Sequence, residues 1–193
     1  GETMTTAIGQ GDLLMTPLQI CMVTTSFANG GKLLTPRIVH EVRDQDGKVV
    51  VPFEPKLIRD VTKDAVKWSY DDNRQDPPKP TTTDFKVDPT AIDLIREGML
   101  EVSSPTGTAA SSKLYDMNGL KIAGKTGTAE FGDPLTNPDG SLLKDADGNL
   151  TRATRAWFTA FAPFDKPEIA VTVLVASGDV GNEGSTYAVP AVK

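Results

Sequence analysis

The chain has 193 residues, of which 38% are hydrophobic, so it is long and apolar enough for one core of ordinary domain size. Its formal net charge is −6, with acidic and basic residues interspersed, which argues against an electrostatic nucleic-acid partner. One Cys and one His exclude a disulfide framework, a His-based catalytic triad and a multi-His metal site.

The first predicted helix begins after Thr16 and ends at residues 29–31. Thr16 and Gln19 have the spacing of a capping box, and Pro17 suits the first helical position. The end is predicted from the sequence Asn-Gly-Gly. No apolar run of 18 residues occurs, so no membrane span is predicted within these residues.

A hairpin and a long loop are predicted next. The hairpin is predicted to have strands at 37–43 and 48–53. Its turn is predicted at 44–47, where Asp and Gly are turn formers. Residues 69–84 are rich in Asp, Asn and Pro, which predicts a surface loop.

The second helix and a three-stranded sheet complete the predicted elements. The helix is capped by Asp88 with Pro89 after it, and apolar residues keep helical spacing as far as residue 102. Strands are predicted at 120–129, 155–162 and 168–177, the last two antiparallel because a five-residue link joins them. Residues 133–154 are predicted to form a second surface loop.

Residues 119–128 fit two catalytic motifs that exclude each other. Positions 119–126 match the phosphate-loop pattern G-x-x-x-x-G-K-[ST], and positions 125–128 read K-T-G-T, a signature of penicillin-recognising serine enzymes. A phosphate loop needs a buried strand before it and a helix after it. Neither is predicted here, since polar residues precede Gly119 and several Gly and Pro follow Thr126. The pattern therefore favours K-T-G-T.

The K-T-G-T segment is predicted to be extended and to lie at the edge of the sheet. Side chains three apart, such as Lys125 and Thr128, point to opposite faces of a regular strand. Both can serve one cleft if the chain twists or kinks, which Gly127 allows. A solvent-facing Lys on an ordinary strand is the alternative that the tetrapeptide alone leaves open.

Two further patterns are interpreted as coincidental. Residues 141–144 read S-x-x-K, but turn-forming clusters flank them, whereas the motif needs the start of a buried helix. Asp145, Asp147 and Asn149 match the opening of a calcium loop, yet the positions for the required Gly and Glu hold Leu150 and Ala156. No metal and no cofactor is predicted.

Six segments resemble, in order, the transpeptidase domain of elongation-type class B penicillin-binding proteins. They are G-Q-G (9–11) with T-P-L-Q (16–19), A-N-G-G (28–31), G-T-A (107–109), A-G-K-T-G-T-A-E (123–130), A-W-F (156–158) and F-A-P (161–163). The resemblance implies an α+β fold, an antiparallel sheet with helices packed on its faces, of the penicillin-binding-protein and β-lactamase type. Residues 1–193 would then be the C-terminal part of the domain.

The function implied is that of a serine D,D-transpeptidase that cross-links peptidoglycan stem peptides and is acylated by β-lactams. Lys125 and Thr128 would be catalytic, and Lys125, Thr126, Gly127 and Thr128 would bind substrate. The implied partners are stem peptides, β-lactam antibiotics, a glycosyltransferase and other cell-wall elongation proteins. The implied location is the extracytoplasmic face of the bacterial cell membrane, with anchoring through a segment outside this chain.

The family's first two motifs, S-x-x-K at the nucleophile and S-x-N, are expected upstream of residue 1. The sequence contains no S-x-N. These residues alone are therefore expected to be inactive. The alternative function is a β-lactam-sensing or non-catalytic penicillin-binding domain.

Overall fold

A computed structural model describes residues 14–72, 79–176 and 184–192 of the chain. The G-Q-G segment at 9–11 lies outside the described residues. The chain divides into two compact units, one of residues 25–95 and one that combines residues 1–24 with 96–193. None of the helices in the described part is long and apolar enough to cross a membrane.

Helix α1 spans Pro17–Ala28, as its capping signals predict. The Thr16 N–H donates to Gln19 Oε1 at 2.8 Å, and the Gln19 N–H donates to Thr16 Oγ1 at 3.3 Å. Gly30 and Gly31 follow the helix with φ of 76° and 103°, left-handed values that glycine adopts without strain. The capping box and the stop signal are both confirmed.

Helix α2 spans Pro89–Val102, again as predicted. The Asp88 carboxylate accepts the Thr90 N–H at 2.9 Å and the Thr90 hydroxyl at 2.8 Å, which satisfies a backbone donor of the first turn. These hydrogen bonds, the backbone one foremost, hold the pKa of Asp88 below its ordinary value. Asp88 is therefore a structural cap.

Among the described residues of the unit 25–95, six short strands form three two-stranded antiparallel sheets. They pair β1 with β4, β2 with β3 and β5 with β6, and their bounds are β1 Lys32–Leu34, β2 Val42–Arg43, β3 Val49–Val51, β4 Leu57–Asp60, β5 Val66–Asp72 and β6 Lys79–Phe85. The hairpin predicted over 37–53 is present with shorter strands. Asp44 Oδ1 accepts the Lys48 N–H at 2.9 Å within its turn.

The prediction of a surface loop at 69–84 is wrong, because residues on both sides of the connection pair as β5 and β6. Ser69 lies opposite Thr82, and their hydroxyl oxygens are 3.0 Å apart. The β-branched residues Thr81–Thr83 favour a strand, and Pro80 is tolerated because each of the two strands has only one partner among the described residues. Residues 73–78 lie outside the described part.

The predicted three-stranded sheet is formed by β7 Ala123–Phe131, β8 Ala153–Ala162 and β9 Ile169–Ala176. Their order is β7-β8-β9, all antiparallel, so β7 is an edge strand among the described residues. The core behind the sheet contains fully buried side chains of β8, the segment after α2 and the C-terminal segment, namely Phe158, Leu114 and Val189. The edge position predicted for K-T-G-T is confirmed.

Most of the predicted loop at 133–154 consists of turns with isolated bridges at Thr136–Leu142 and Lys144–Leu150. Its last two positions, Ala153 and Thr154, belong to β8 instead. Most of the loop side chains are exposed.

Candidate active site

The K-T-G-T residues lie on β7 and pair across to β8 without any register shift. Lys125 lies opposite Thr159, Gly127 opposite Trp157 and Thr128 opposite Ala156. Gly127 therefore introduces no bulge, and the regular alternation of β7 puts the side chains of Lys125 and Thr128 on opposite faces of the strand. Both side chains are exposed, whereas Ala123 and Gly124, which precede them on the strand, are buried.

The buried start of β7 rests on Phe158. A Cβ added at Gly124 would lie 2.4 Å from the Phe158 ring and 3.0 Å from the Thr159 carbonyl oxygen. The ring is fully buried, so it has no open space to move into. Glycine at this position allows the backbone just before Lys125 to lie directly on the core.

Lys125 carries the positive charge of the segment at the exposed edge. Its Nζ donates to the Thr126 carbonyl oxygen, on the same strand. A Lys side chain is long and flexible, and its ammonium has three donors. The ammonium can therefore exchange this local carbonyl for another acceptor, such as a carboxylate.

Thr126 is joined to a second segment that the prediction of the site did not include. Its Oγ1 lies 3.2 Å from Thr108 Oγ1. The turn that carries Thr108 is tightly packed, because a Cβ at Gly107 would lie 2.1 Å from the Glu101 carbonyl oxygen. The Ala109 N–H also donates to Val102 at 2.9 Å. The end of α2 thus fixes Thr108 beside β7, the strand that carries the K-T-G-T residues.

Thr128 is approached by the segment that begins at Gly184. The Gly184 N–H donates to Thr128 Oγ1 at 3.4 Å, a long hydrogen bond. Neither Thr108 nor Gly184 was predicted as a site residue. The G-T-A pattern at 107–109 was the signal available for Thr108, and Gly184 lies in no predicted element.

The rival phosphate-loop motif does not have the required structure. Residues 124–126 lie within β7, which continues to Phe131. Residues 132–152, all described, form turns and bridges rather than a helix. Without a helix at the Lys there is no array of N–H groups to hold phosphates.

The S-x-x-K pattern at 141–144 lies in a turn. The Ser141 hydroxyl donates to Asp139 Oδ1 at 2.6 Å and accepts from Asn137 Nδ2 at 3.0 Å. The Ser141 hydroxyl, followed by its N–H, holds the pKa of the Asp139 carboxyl below its ordinary value of 3.8. Ser141 is therefore engaged as a turn residue.

The calcium-like segment also forms a turn. Asp145 Oδ1 accepts the N–H groups of Asp147 and Asn149, each at 2.9 Å. These bonds, the one from Asn149 foremost, lower the pKa of Asp145. Among the described residues, no group of three or more His, Cys, Asp or Glu side chains is placed to hold a metal ion.

A cavity of about 320 Å³ lies beside the end of α2, where Leu100, Tyr115 and Leu120 are among its lining residues. Its size is at the lower end for small-molecule sites. Neither Lys125 nor Thr128 lines it. The cavity is therefore separate from the site strand.

Comparison with known proteins gives consistent matches. The family model described as the penicillin binding protein transpeptidase domain matches residues 1–193. Peptidoglycan D,D-transpeptidase MrdA of Acinetobacter baumannii is 31% identical over 190 residues, which are 98% of this chain and 24% of that protein. MrdA of Haemophilus influenzae is 28% identical over 186 residues, 96% of this chain and 24% of that protein.

Two solved structures are similar as well. Penicillin-binding protein A from M. tuberculosis, as a ceftriaxone acyl-enzyme complex, has a TM-score of 0.61 and 25% identity over 96% of this chain and 32% of its own. PBP2 from Helicobacter pylori, in complex with MreC, has a TM-score of 0.52 and 28% identity over 98% of this chain and 25% of its own. The chain spans about a quarter of the length of the curated relatives it matches.

Proposed function

Because this chain belongs to the penicillin-binding protein transpeptidase domain family, we propose that it forms one wall of the active site of a serine D,D-transpeptidase. Such an enzyme cross-links peptidoglycan stem peptides through an acyl-serine intermediate, and β-lactams acylate the same serine. The observation that carries the proposal is the edge strand β7, on which Lys125 and Thr128 are exposed, in a chain that matches the family model throughout.

The edge of β7, which no other strand of the described part covers, is suited to holding an extended peptide. An edge strand presents unpaired N–H and C=O groups, and a substrate backbone can add to them as a further strand. Gly127 has no side chain that would keep a substrate backbone away from the strand. A side chain at this position would also be crowded on the protein side, because a Cβ at Gly127 would lie 3.2 Å from the Trp157 Cβ. We assign Gly127 and Thr126 to shaping this binding edge.

In this proposal, Lys125 and Thr128 stabilise negative charge on the substrate and on the reaction intermediate. The Lys125 ammonium supplies positive charge near the substrate carboxylate and the proton-relay hydroxyl. The Thr128 hydroxyl donates to the carboxylate, and its backbone N–H belongs to the oxyanion hole. Donors that are fixed before the reaction stabilise the negative charge that develops in the tetrahedral intermediate, which is where they accelerate the reaction.

The nucleophilic serine is placed on a segment outside these 193 residues. Its hydroxyl oxygen attacks the carbonyl carbon of the donor stem peptide, the terminal residue leaves with a proton, and the acyl-serine is then attacked by the amine of an acceptor peptide. The K-T-G-T strand contributes binding and charge to both steps. It does not itself form a covalent bond.

The location and partners of the complete protein follow from this activity. Peptidoglycan cross-linking takes place on the extracytoplasmic face of the bacterial membrane, so the domain is assigned there. The H. pylori relative was solved with MreC, which supports assigning the complete protein to a cell-wall elongation assembly. A glycosyltransferase that supplies the glycan strands is its expected partner.

The test is acylation of the complete protein that carries this chain. Incubation with a fluorescent penicillin should give one adduct per molecule by intact mass, and a peptide ending in D-Ala-D-Ala should slow its formation. A protein that forms no adduct at any penicillin concentration would contradict the proposal.

A second assay separates an enzyme from a sensor. With a D-Ala-D-Ala-like thioester donor and a D-amino acid acceptor, a transpeptidase releases the thiol and forms a new amide. A β-lactam sensor is acylated by penicillin but yields no transfer product. Detection of the amide product by mass spectrometry supports the proposed function, and its absence from a protein that binds penicillin supports the sensor.

A further inference from the structure

Gly184 lies directly on the β7–β8 ladder beside the site strand. It is buried, and a Cβ added to it would lie 2.3 Å from the Trp157 carbonyl oxygen, 2.5 Å from the Gly127 carbonyl oxygen and 2.9 Å from the Gly127 nitrogen. All three atoms belong to the backbone of a paired ladder, so none can move aside as the end of a side chain would. Only glycine fits at this point.

The requirement at Gly184 is for space and not for an unusual backbone conformation. Its φ lies outside the left-handed range that favours glycine, in contrast to Gly132 and Gly140, with φ of 73° and 83°. An alanine at position 184 would therefore have an acceptable φ but would be pushed off the ladder. The segment that begins here would move away from Gly127.

The same close approach gives Thr128 a hydrogen-bond donor, since the Gly184 N–H lies 3.4 Å from Thr128 Oγ1. A threonine hydroxyl has one proton to donate and two lone pairs that accept. When an N–H occupies a lone pair, the hydroxyl proton points elsewhere. A substrate carboxylate has only acceptors, so Thr128 binds it through this proton.

We propose that Gly184 is a positioning residue that orients the Thr128 hydroxyl as a donor toward the substrate or β-lactam carboxylate. The inference rests on the proposed function, since it assigns Gly184 a role in that site. It requires two features of this chain together: the absence of a side chain at position 184 and the N–H directed at Thr128. Gly184 touches no reacting atom in this arrangement and acts through Thr128.

The test measures the second-order rate of acylation by a fluorescent penicillin in the complete protein. Gly184→Ala should slow acylation roughly ten- to hundredfold, the range for losing one hydrogen bond and displacing a contact group by about 1 Å. Gly98→Ala is the matched control, because Gly98 has no left-handed φ and nothing within 4 Å of its added Cβ. Its rate should stay within about twofold of the wild type.

A double-mutant cycle separates positioning from general damage to the fold. If Gly184 acts through Thr128, Gly184→Ala should have an effect of less than about threefold in a Thr128→Val background. The same rate loss in both backgrounds, or no loss in the single variant, would overturn the inference. A wild-type protein that is not acylated at all would instead contradict the proposed function.

A spectroscopic measurement tests the hydrogen bond without any change at Gly184. In glycine-labelled complete protein, Thr128→Val should move the Gly184 amide proton upfield while the Gly98 amide stays in place. This readout needs neither catalysis nor a folded Gly184→Ala variant. A Gly184 amide that does not respond to Thr128→Val would show that Thr128 does not accept its proton.

Discussion

Two segments of this chain each match a different four-residue pattern of the penicillin-recognising serine enzymes, K-T-G-T at 125–128 and S-x-x-K at 141–144, and they have different local structures. Residues 125–128 lie on β7, paired along their whole length with β8. Residues 141–144 lie between two turns and are held by isolated bridges and local hydrogen bonds instead of a continuous strand ladder. Whether a short motif can serve an active site therefore depends on the structure that holds it. A match of residue identities alone does not show which of the two segments has that structure.

The first difference between the two segments is how deeply the side chains that support them are buried. Phe158 is fully buried against the backbone of β7 at Gly124, whereas Leu142 is 49% exposed in the loop. Phe158→Ala should lower the free energy of unfolding by about 3–5 kcal/mol, because it removes a buried ring and leaves a cavity. Leu142→Ala should change it by less than about 0.5 kcal/mol. Urea denaturation of the complete protein measures both.

Similar losses for the two variants would remove the distinction between a supported strand and an unsupported loop. A large loss at Leu142 alone would show that the loop packs in the complete protein.

The second difference is the expected role of the lysine in each segment, Lys125 and Lys144. In the complete protein, Lys125→Ala should slow acylation by penicillin by about one to two decades, since an oriented charge-assisted contact contributes roughly 1.5–3 kcal/mol. Lys144→Ala, in the loop, should leave the rate unchanged. Stopped-flow fluorescence with labelled penicillin gives the rates.

A closer control for charge is Lys121, which lies just before β7 and whose Nζ is 3.5 Å from Asp165 Oδ2. Lys121→Ala removes the same charge a few residues away from the proposed cleft, and its rate should match the wild type. Equal rates for Lys125→Ala and Lys121→Ala would remove Lys125 from the site.

Local sequence signals predicted the elements that depend on neighbours along the chain. The capping box at Thr16 and Gln19, the Asp88 cap and the strand carrying Lys125 are all present. Each of them is specified within a few residues, by a side chain that bonds a nearby N–H or by an apolar period. The edge position of K-T-G-T was predicted for a functional reason, namely access for a substrate.

Contacts between distant residues could not be predicted in this way. The β5–β6 hairpin was missed because Asp, Asn and Pro near its connection dominate the local pattern, while the pairing of Ser69 with Thr82 depends on register. The contact of Thr108 with Thr126 and that of Gly184 with Thr128 join segments 18 and 56 residues apart. No period or cap encodes such a pair, so a single sequence could not show them.

A smaller effect is expected at Asp139, which anchors the loop. Hydrogen bonds from Ser141 lower its pKa, so their contribution to stability is fully present above the ordinary value of 3.8 and is lost as the pH falls through the lowered pKa. Ser141→Ala should raise the Asp139 pKa toward its ordinary value. A carbon-detected NMR titration measures it.

The matched control for this titration is Asp145, whose pKa is lowered by Asn149 in the neighbouring turn. Ser141→Ala should not change it. Movement of both values would mean that the variant unfolds the loop as a whole, and no movement of Asp139 would mean that Ser141 does not hold it.

The smallest effect of Ser141→Ala is expected on acylation, where none should be measurable. A nucleophilic serine needs a base that can take its proton at neutral pH, whereas the Ser141 hydroxyl donates to the Asp139 carboxylate, whose pKa lies below its ordinary value. The 193-residue chain alone should therefore give no adduct with a fluorescent penicillin by intact mass, and Ser141→Ala should leave acylation of the complete protein unchanged. A stoichiometric adduct on the 193-residue chain that disappears in Ser141→Ala would reverse the comparison, because the loop and not the strand would then carry the reacting group. An adduct that persists in the variant would point to another nucleophile among these residues, and peptide mapping of the modified chain would identify it.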